Sequence, residues 1–220
     1  MSLADFQRAL AALSASPQMV RDLRAGRRSV LDGFDLSPRE RARLQHAANA
    51  PGMAAQCSLY RIMRLAALNA VLPRTLAALG SAVGPLVEAY WTSCPLHDLR
   101  FLPEAERFVA FLKRHPELLA HAAGTAADAV SDLLRIEFAI ARAHRATLRG
   151  AASTVTRYRY RPSALLEAAA AGLGVLAALP RGRFQLRIET APAGITLWEG
   201  PIDTAGQPST MVISTRRAWS

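Results

Sequence analysis

The side chains from which metal or nucleophilic chemistry would have to be built are few in this 220-residue chain: five histidines and two cysteines. His46, His97, His115, His121 and His144 stand apart from one another. No two are three to five residues apart, so no helix turn brings a pair of imidazoles to one metal, and neither His-Glu-x-x-His nor a Cys-x-x-Cys pair occurs. Cys94 and His97 form a single Cys-x-x-His pair, whereas a closed zinc site takes four ligands. The same pair is the only sequence-close thiol and base, on a loop after an aromatic helix, but no third group is at hand to orient the imidazole. The Gly-Leu-Gly run at 172–174 has neither the strand before it nor the lysine after it that a phosphate loop uses. By its own residues the chain is a binding or partner protein, with no catalytic residue, metal or cofactor expected on it.

Charge is the second signal. The formal net charge is +10, and Lys113 is the only lysine, so the excess is carried by arginine. A basic surface points to nucleic acid, anionic lipid or an acidic partner. Against this, the basic residues are spread along the chain, and an Ala- and Arg-rich composition also follows from genome base content. Arg39, Arg41 and Arg43 cluster around Glu40 and read as a solvated helix face. A DNA-binding regulator remains the alternative function. No apolar run reaches the ~18 residues of a membrane span, and MSLADFQRAL lacks the basic-then-apolar layout of a signal peptide. A cytoplasmic protein with no membrane partner is expected, with Cys57 and Cys94 as buried thiols rather than a disulfide.

The elements that position these residues are organised around the stretch from Cys57 to Pro95. Leu59, Ile62, Met63, Leu65, Leu68 and Val71 recur at helical spacing and predict an apolar stripe facing a core. Leu72-Pro73 breaks the helix, and Pro73 opens a second one that stops at Gly80. Leu86 to Trp91 forms a third. Before this stretch, Leu3 to Leu13 is amphipathic, and Ser16-Pro17 and Ser37-Pro38 are helix starts. After it, a loop covers Leu96 to Leu102, Pro103 opens a helix that ends near His115-Pro116, and Ala126 to Leu148 is a long helix closed by Gly150. Glu137 on that helix is expected to pair with Arg61 or Arg64.

The period then changes. Val155 to Arg161 reads VTRYRYR, alternating with period two, with Tyr158 and Tyr160 on one face and Arg157, Arg159 and Arg161 on the other. The arginines form a short basic ribbon or a plain exposed strand face. A short helix follows at Ser163 to Ala171, and Phe184 to Ile188, Ile195 to Leu197 and Thr210 to Thr215 read as strands. The expected fold class is α+β: an N-terminal helical bundle over 1–150, then a small α/β domain with a short antiparallel sheet over 151–220.

The order of these landmarks carries a resemblance. LADFQRAL, LYRIMRLAALNAVLPRTLAALG, LVEAYWTSCP, AERFVAFLKRHPELL and LLRIEFAIARA, followed by a small β-containing tail, resemble the HvfC-type family. That family carries an old DNA-binding label, and its members pair with multinuclear non-haem iron oxidative enzymes. The opening MSLADFQRAL and the loop FDLSPRERARL are most similar to members that act in the biosynthesis of a peptide copper chelator. The resemblance implies a non-catalytic but required subunit, heterodimeric with an iron enzyme. It would present the leader of a ribosomal precursor peptide whose cysteines become oxazolone and thioamide groups. The iron would belong to the partner.

Two surfaces are expected to carry that role. An aromatic-rich helix end and its following loop suit an interface centre, which singles out Tyr90, Trp91, Pro95, His97 and Phe101 for the enzyme. Tyr90 and Trp91 would equally close the bundle core. A leader strand adding to a sheet edge would meet Arg183, Phe184, Leu186, Ile188, Leu197 and Trp198. The apolar members of that set also read as the small domain's core.

Overall fold

Two Ser-Pro dipeptides start helices as the sequence predicts. In the computed structural model, Ser16 Oγ accepts the Met19 N–H at 3.1 Å and opens α2 (Pro17–Arg24). Ser37 opens α3 (Pro38–Asn49) with a capping box: its hydroxyl accepts from the Glu40 N–H at 3.2 Å while the Glu40 carboxylate accepts from the Ser37 N–H at 2.8 Å. Each bond satisfies an amide that the first helical turn leaves without a partner. The structure describes residues 3–94, 100–147, 152–191, 194–202 and 209–211.

The chain divides into two compact units, 1–66 with 88–99 and 67–87 with 100–220. The first contains α1 (Leu3–Ala15), α2, a 3₁₀ turn at Arg28–Leu31, α3, most of α4 (Met53–Val71) and the end of α6 (Val83–Ser93). Its core gathers Leu13, Val20, Leu23, Leu31, Leu44 and Met53. Burial of a leucine-sized side chain contributes roughly 1.5–3 kcal/mol, so this set is ample for a small helical core. Cys57 closes it, its buried thiol 3.5 Å from the Leu13 carbonyl, and burial pushes that thiol's pKa up.

The second unit is built on α9 (Ala127–Thr147), whose Val130, Leu133, Leu134 and Ile136 are buried. Around it lie α5 (Pro73–Leu79), α7 (Phe101–Arg114), α8 (Pro116–Ala123), α10 (Pro162–Ala168) and α11 (Leu173–Ala177). Pro73 opens α5 as expected, and Gly80 ends it at a φ of 53° that a side-chain-bearing residue rarely adopts. One face of α9 meets an antiparallel sheet in the order β1 (Ala152–Tyr158), β2 (Phe184–Ala191), β3 (Gly194–Pro201), β4 (Ser209–Met211). β1 is paired with β2 from Ala152↔Thr190 to Tyr158↔Phe184. β2 is paired with β3 along its whole length. The fold is therefore α+β, mostly helical with a small antiparallel sheet near the C-terminal end.

Several details differ from the sequence reading. α7 begins at Phe101, two residues before Pro103. α8 and α11 are short helices that the sequence reading does not include. β1 starts at Ala152 and ends at Tyr158 rather than running to Arg161. The change of period near residue 150 is a change of secondary structure inside the second unit, since α9 and the sheet share it. Among the described residues no single helix is long and apolar enough to cross a membrane.

Candidate functional site

The apolar stripe of α4 divides: Leu68 and Val71 are buried as expected, whereas its first four residues, in the first unit, face outward. Leu59, Ile62, Met63 and Leu65 are exposed, Ile62 by 62 % and Leu59 by 55 %. Arg64 points inward and is 1 % exposed. Its guanidinium lies 4.9 Å from the Tyr90 ring centre, 5.7 Å from Trp91 and 5.9 Å from Tyr60, within cation–π range of all three. Arg61 grips Glu88 at 2.7 and 2.8 Å through two nitrogens and also lies over Trp91 at 5.3 Å. The rings of Tyr90 and Trp91 are thus occupied by the two α4 arginines. At one residue per 100° of helix, Ala55, Leu59, Ile62, Met63, Leu65 and Ala66 share one outward band, and all six are exposed.

The residues expected at the enzyme interface therefore separate. Tyr90 and Trp91 are buried in the first unit, as core-closing side chains are. Phe101 is exposed and belongs to the second unit. Pro95 and His97 lie outside the described residues, and with His97 goes any geometry for the Cys94–His97 pair. The described residues contain no group of three His, Cys, Asp or Glu side chains placed to hold a metal.

In the second unit the expected leader contacts also divide. Leu186, Ile188 and Leu197 are buried on the face of the sheet that meets α9. Phe184 and Trp198 are half-buried. Arg183 precedes β2, and its carbonyl accepts from the Ile202 N–H at 3.0 Å. β2 is an interior strand with neighbours on both sides, so it has no open edge for another chain. β1 is an edge: among the described residues it has β2 on one side and no strand on the other. β4 covers only Leu197 to Glu199 of β3.

The arginines of VTRYRYR mostly fold back onto acids. Arg159 donates to Asp128, and its backbone N–H reaches the buried Asp132 carboxylate at 2.6 Å. Arg161 Nε donates to Glu199 at 3.0 Å. Arg181 adds a second contact to Asp128 at 2.6 Å and one to the Tyr160 hydroxyl at 3.0 Å. Tyr158 and Tyr160 are buried on the opposite side, as the alternation predicts. Arg159 and Arg161 thus fasten the chain at the end of β1 to α9 and β3 by ion pairs, while Arg157 is exposed.

Two carboxylates, Glu137 and the same Glu199, cap helices that begin with proline. Glu137 accepts from the Arg74 N–H at 2.9 Å, the Thr75 N–H at 2.8 Å and the Thr75 hydroxyl at 2.7 Å, at the start of α5. Glu199 does the same at the start of α10, accepting from the Ser163 N–H at 2.9 Å and the Ser163 hydroxyl at 2.6 Å. The expected pairing of Glu137 with Arg61 or Arg64 gives way to this cap. A carboxylate at a helix N-terminus meets both free amides and the positive end of the helix dipole. These buried acids are structural.

No family model, no curated protein and no solved structure matches this chain.

Proposed function

We propose that this chain is a non-catalytic accessory subunit that docks on an iron-dependent, peptide-modifying oxygenase and presents the leader of a ribosomal precursor peptide to it. The observation that carries the reading is the outward apolar band of α4. Its large apolar side chains face solvent while a charged residue of the same helix is enclosed. Contiguous exposed apolar surface of this kind marks interaction sites.

The nature of the partner comes from the resemblance. The opening MSLADFQRAL and the loop FDLSPRERARL resemble MbnC, the methanobactin biosynthesis partner protein, which joins the iron enzyme MbnB. That pair converts cysteines of the precursor MbnA to oxazolone and thioamide groups with molecular oxygen, on the way to a copper chelator. The iron belongs to the partner, and no chemical step is assigned to this chain. The helical segment before residue 150 takes the docking role and the sheet beyond it the peptide.

An extended leader would add to β1, drawing affinity from main-chain hydrogen bonds. Ordering a flexible peptide costs free energy at every fixed residue. Anchoring its leader on one subunit raises the local concentration of its cysteines at the other subunit's iron. The arrangement contributes to rate without a catalytic residue on this chain. Co-expression with the iron enzyme of the same genome, followed by size-exclusion chromatography, is expected to give one complex. Two separate monomers at micromolar concentration would overturn the proposal.

A further inference from the structure

A groove of about 410 Å³ runs beside β1 in the second unit, between that strand and α9. The volume falls in the range of small-ligand sites. One wall is Thr154, Thr156 and Tyr158 of β1 with Ile188 of β2, and the other is Phe138, Ala139 and Ala143 of α9 with Val109 of α7. Its charged lining consists of Lys113, Arg135 and Arg142, with no acid among the described lining residues. Arg135 is committed elsewhere: it donates to Asp132 at 3.1 Å and to the Arg157 carbonyl at 3.0 Å, and lies over the Tyr158 ring at 4.8 Å. Lys113 and Arg142 have no carboxylate partner among the described residues, and Arg142 rests near the Phe138 ring at 5.9 Å.

Tyr158 supplies an independent observation. The residue is 4 % exposed, and its hydroxyl makes no hydrogen bond of good geometry, with the Thr156 side chain beside it. Buried hydroxyls are nearly always satisfied, and leaving one unmade is costly. Here the unused donor borders a groove with two uncompensated cations and an apolar wall.

We propose that this groove binds a carboxylate carried on an apolar stem. The anion is held between Lys113 and Arg142 with the hydroxyls of Tyr158 and Thr156 as neutral donors, and the stem covers Phe138, Ala139 and Ile188. A single carboxylate matches two cations that are free of acids, and the apolar wall selects a stem over a bare ion. The carboxylate has two sources: a free organic acid, or a glutamate side chain of an extended peptide lying along β1. The assignment stands independently of the accessory-subunit reading, because it uses only the lining of the groove.

The test is isothermal titration of the full chain with octanoate, with octanol, and with two blocked five-residue peptides that differ only by a central Glu or Gln. Lys113 and Arg142 are exposed, so K113Q and R142Q keep the fold, which thermal melting verifies. Saturable octanoate binding at one site, weakened about tenfold or more by the double variant and absent for octanol, supports a free acid as the source. Preference for the Glu over the Gln peptide, lost in the same variant, supports a peptide source. Absence of saturable binding for octanoate and the Glu peptide alike, or binding indifferent to K113Q/R142Q, overturns the proposal.

Discussion

The Thr75 hydroxyl donates to Glu137 Oε2 at 2.7 Å across 62 residues of sequence, and the Thr75 amide donates to the same oxygen at 2.8 Å. Both residues are buried, so the start of α5 is tied to the centre of α9 by a buried carboxylate. Burial pushes the Glu137 pKa above the usual glutamate range, against the opposing pull of the Thr75 and Arg74 hydrogen bonds. Thr75→Val removes one donor and leaves a buried acceptor short of a partner. It is expected to destabilise the chain by about 2 kcal/mol at neutral pH, read by urea unfolding.

The same carboxyl gives a pH signature. Because its folded pKa is raised, its favourable contribution is complete below the unfolded value and is lost as pH rises through the folded value. Glu137→Gln cannot titrate. The stability of the wild type relative to Glu137→Gln should therefore fall as pH rises through the acidic range and level off above the raised pKa. A difference that grows with pH would show that the cap's hydrogen bonds outweigh its desolvation.

Arg64 sits where a core residue is expected, enclosed by Tyr60, Tyr90 and Trp91. Arg64→Ala opens a cavity and removes the cation–π contacts, for an expected loss of about 3 kcal/mol. Arg64→Met restores most of the volume and should lose less. Equal losses in the two variants would mean that the charge, rather than the packing of its stem, holds the site.

Local signals were legible in the sequence because their causes are local. Ser16-Pro17, Ser37-Pro38, Pro73 and Gly80 each set a helix boundary through groups within four residues. The spacing of Leu59, Ile62 and Met63 correctly gives a helix with one apolar face. It does not say that the face turns outward, because that is decided by Tyr90 and Trp91 some thirty residues on, which enclose Arg64. The same limit hid the roles of Arg159 and Arg161, whose acids Asp128, Asp132 and Glu199 lie 27 to 38 residues away. β2 reads as well as β1 for an edge strand until the pairing order places it inside the sheet. The groove beside β1 draws on four separate segments, α7, α9, β1 and β2, and no short motif announces it.

If an extended leader adds to β1, its bonds follow the period-two pattern of a ladder. Backbone N-methylation of the precursor at alternate residues should abolish binding in one parity and leave the other nearly unchanged. Fluorescence anisotropy with a labelled leader reads this. Insensitivity in both parities would remove strand addition from the account.

Peptide and DNA binding part company over salt. Main-chain hydrogen bonds make leader affinity only mildly dependent on salt, whereas contact through several arginines costs about three orders of magnitude between 50 and 200 mM. Many of the arginines here are paired internally, as Arg27 with Asp22, Arg61 with Glu88 and Arg159 with Asp128. Weak, salt-sensitive binding of random duplex DNA is expected beside salt-tolerant peptide binding. Tight DNA binding with no peptide binding would favour a regulator.

Docking through the outward band of α4 is read by the affinity of the purified chain for the iron enzyme, titrated with wild type and with Ile62→Asp/Met63→Asp. Both side chains are exposed, so the variant should melt within about 0.5 kcal/mol of the wild type. A charge placed in the centre of an apolar interface costs at least about 2 kcal/mol, or roughly thirtyfold in affinity. A stable one-to-one complex is expected for the wild type, and that loss or more for the variant. An unchanged affinity in the folded variant, or no complex with either protein, would contradict docking through this band.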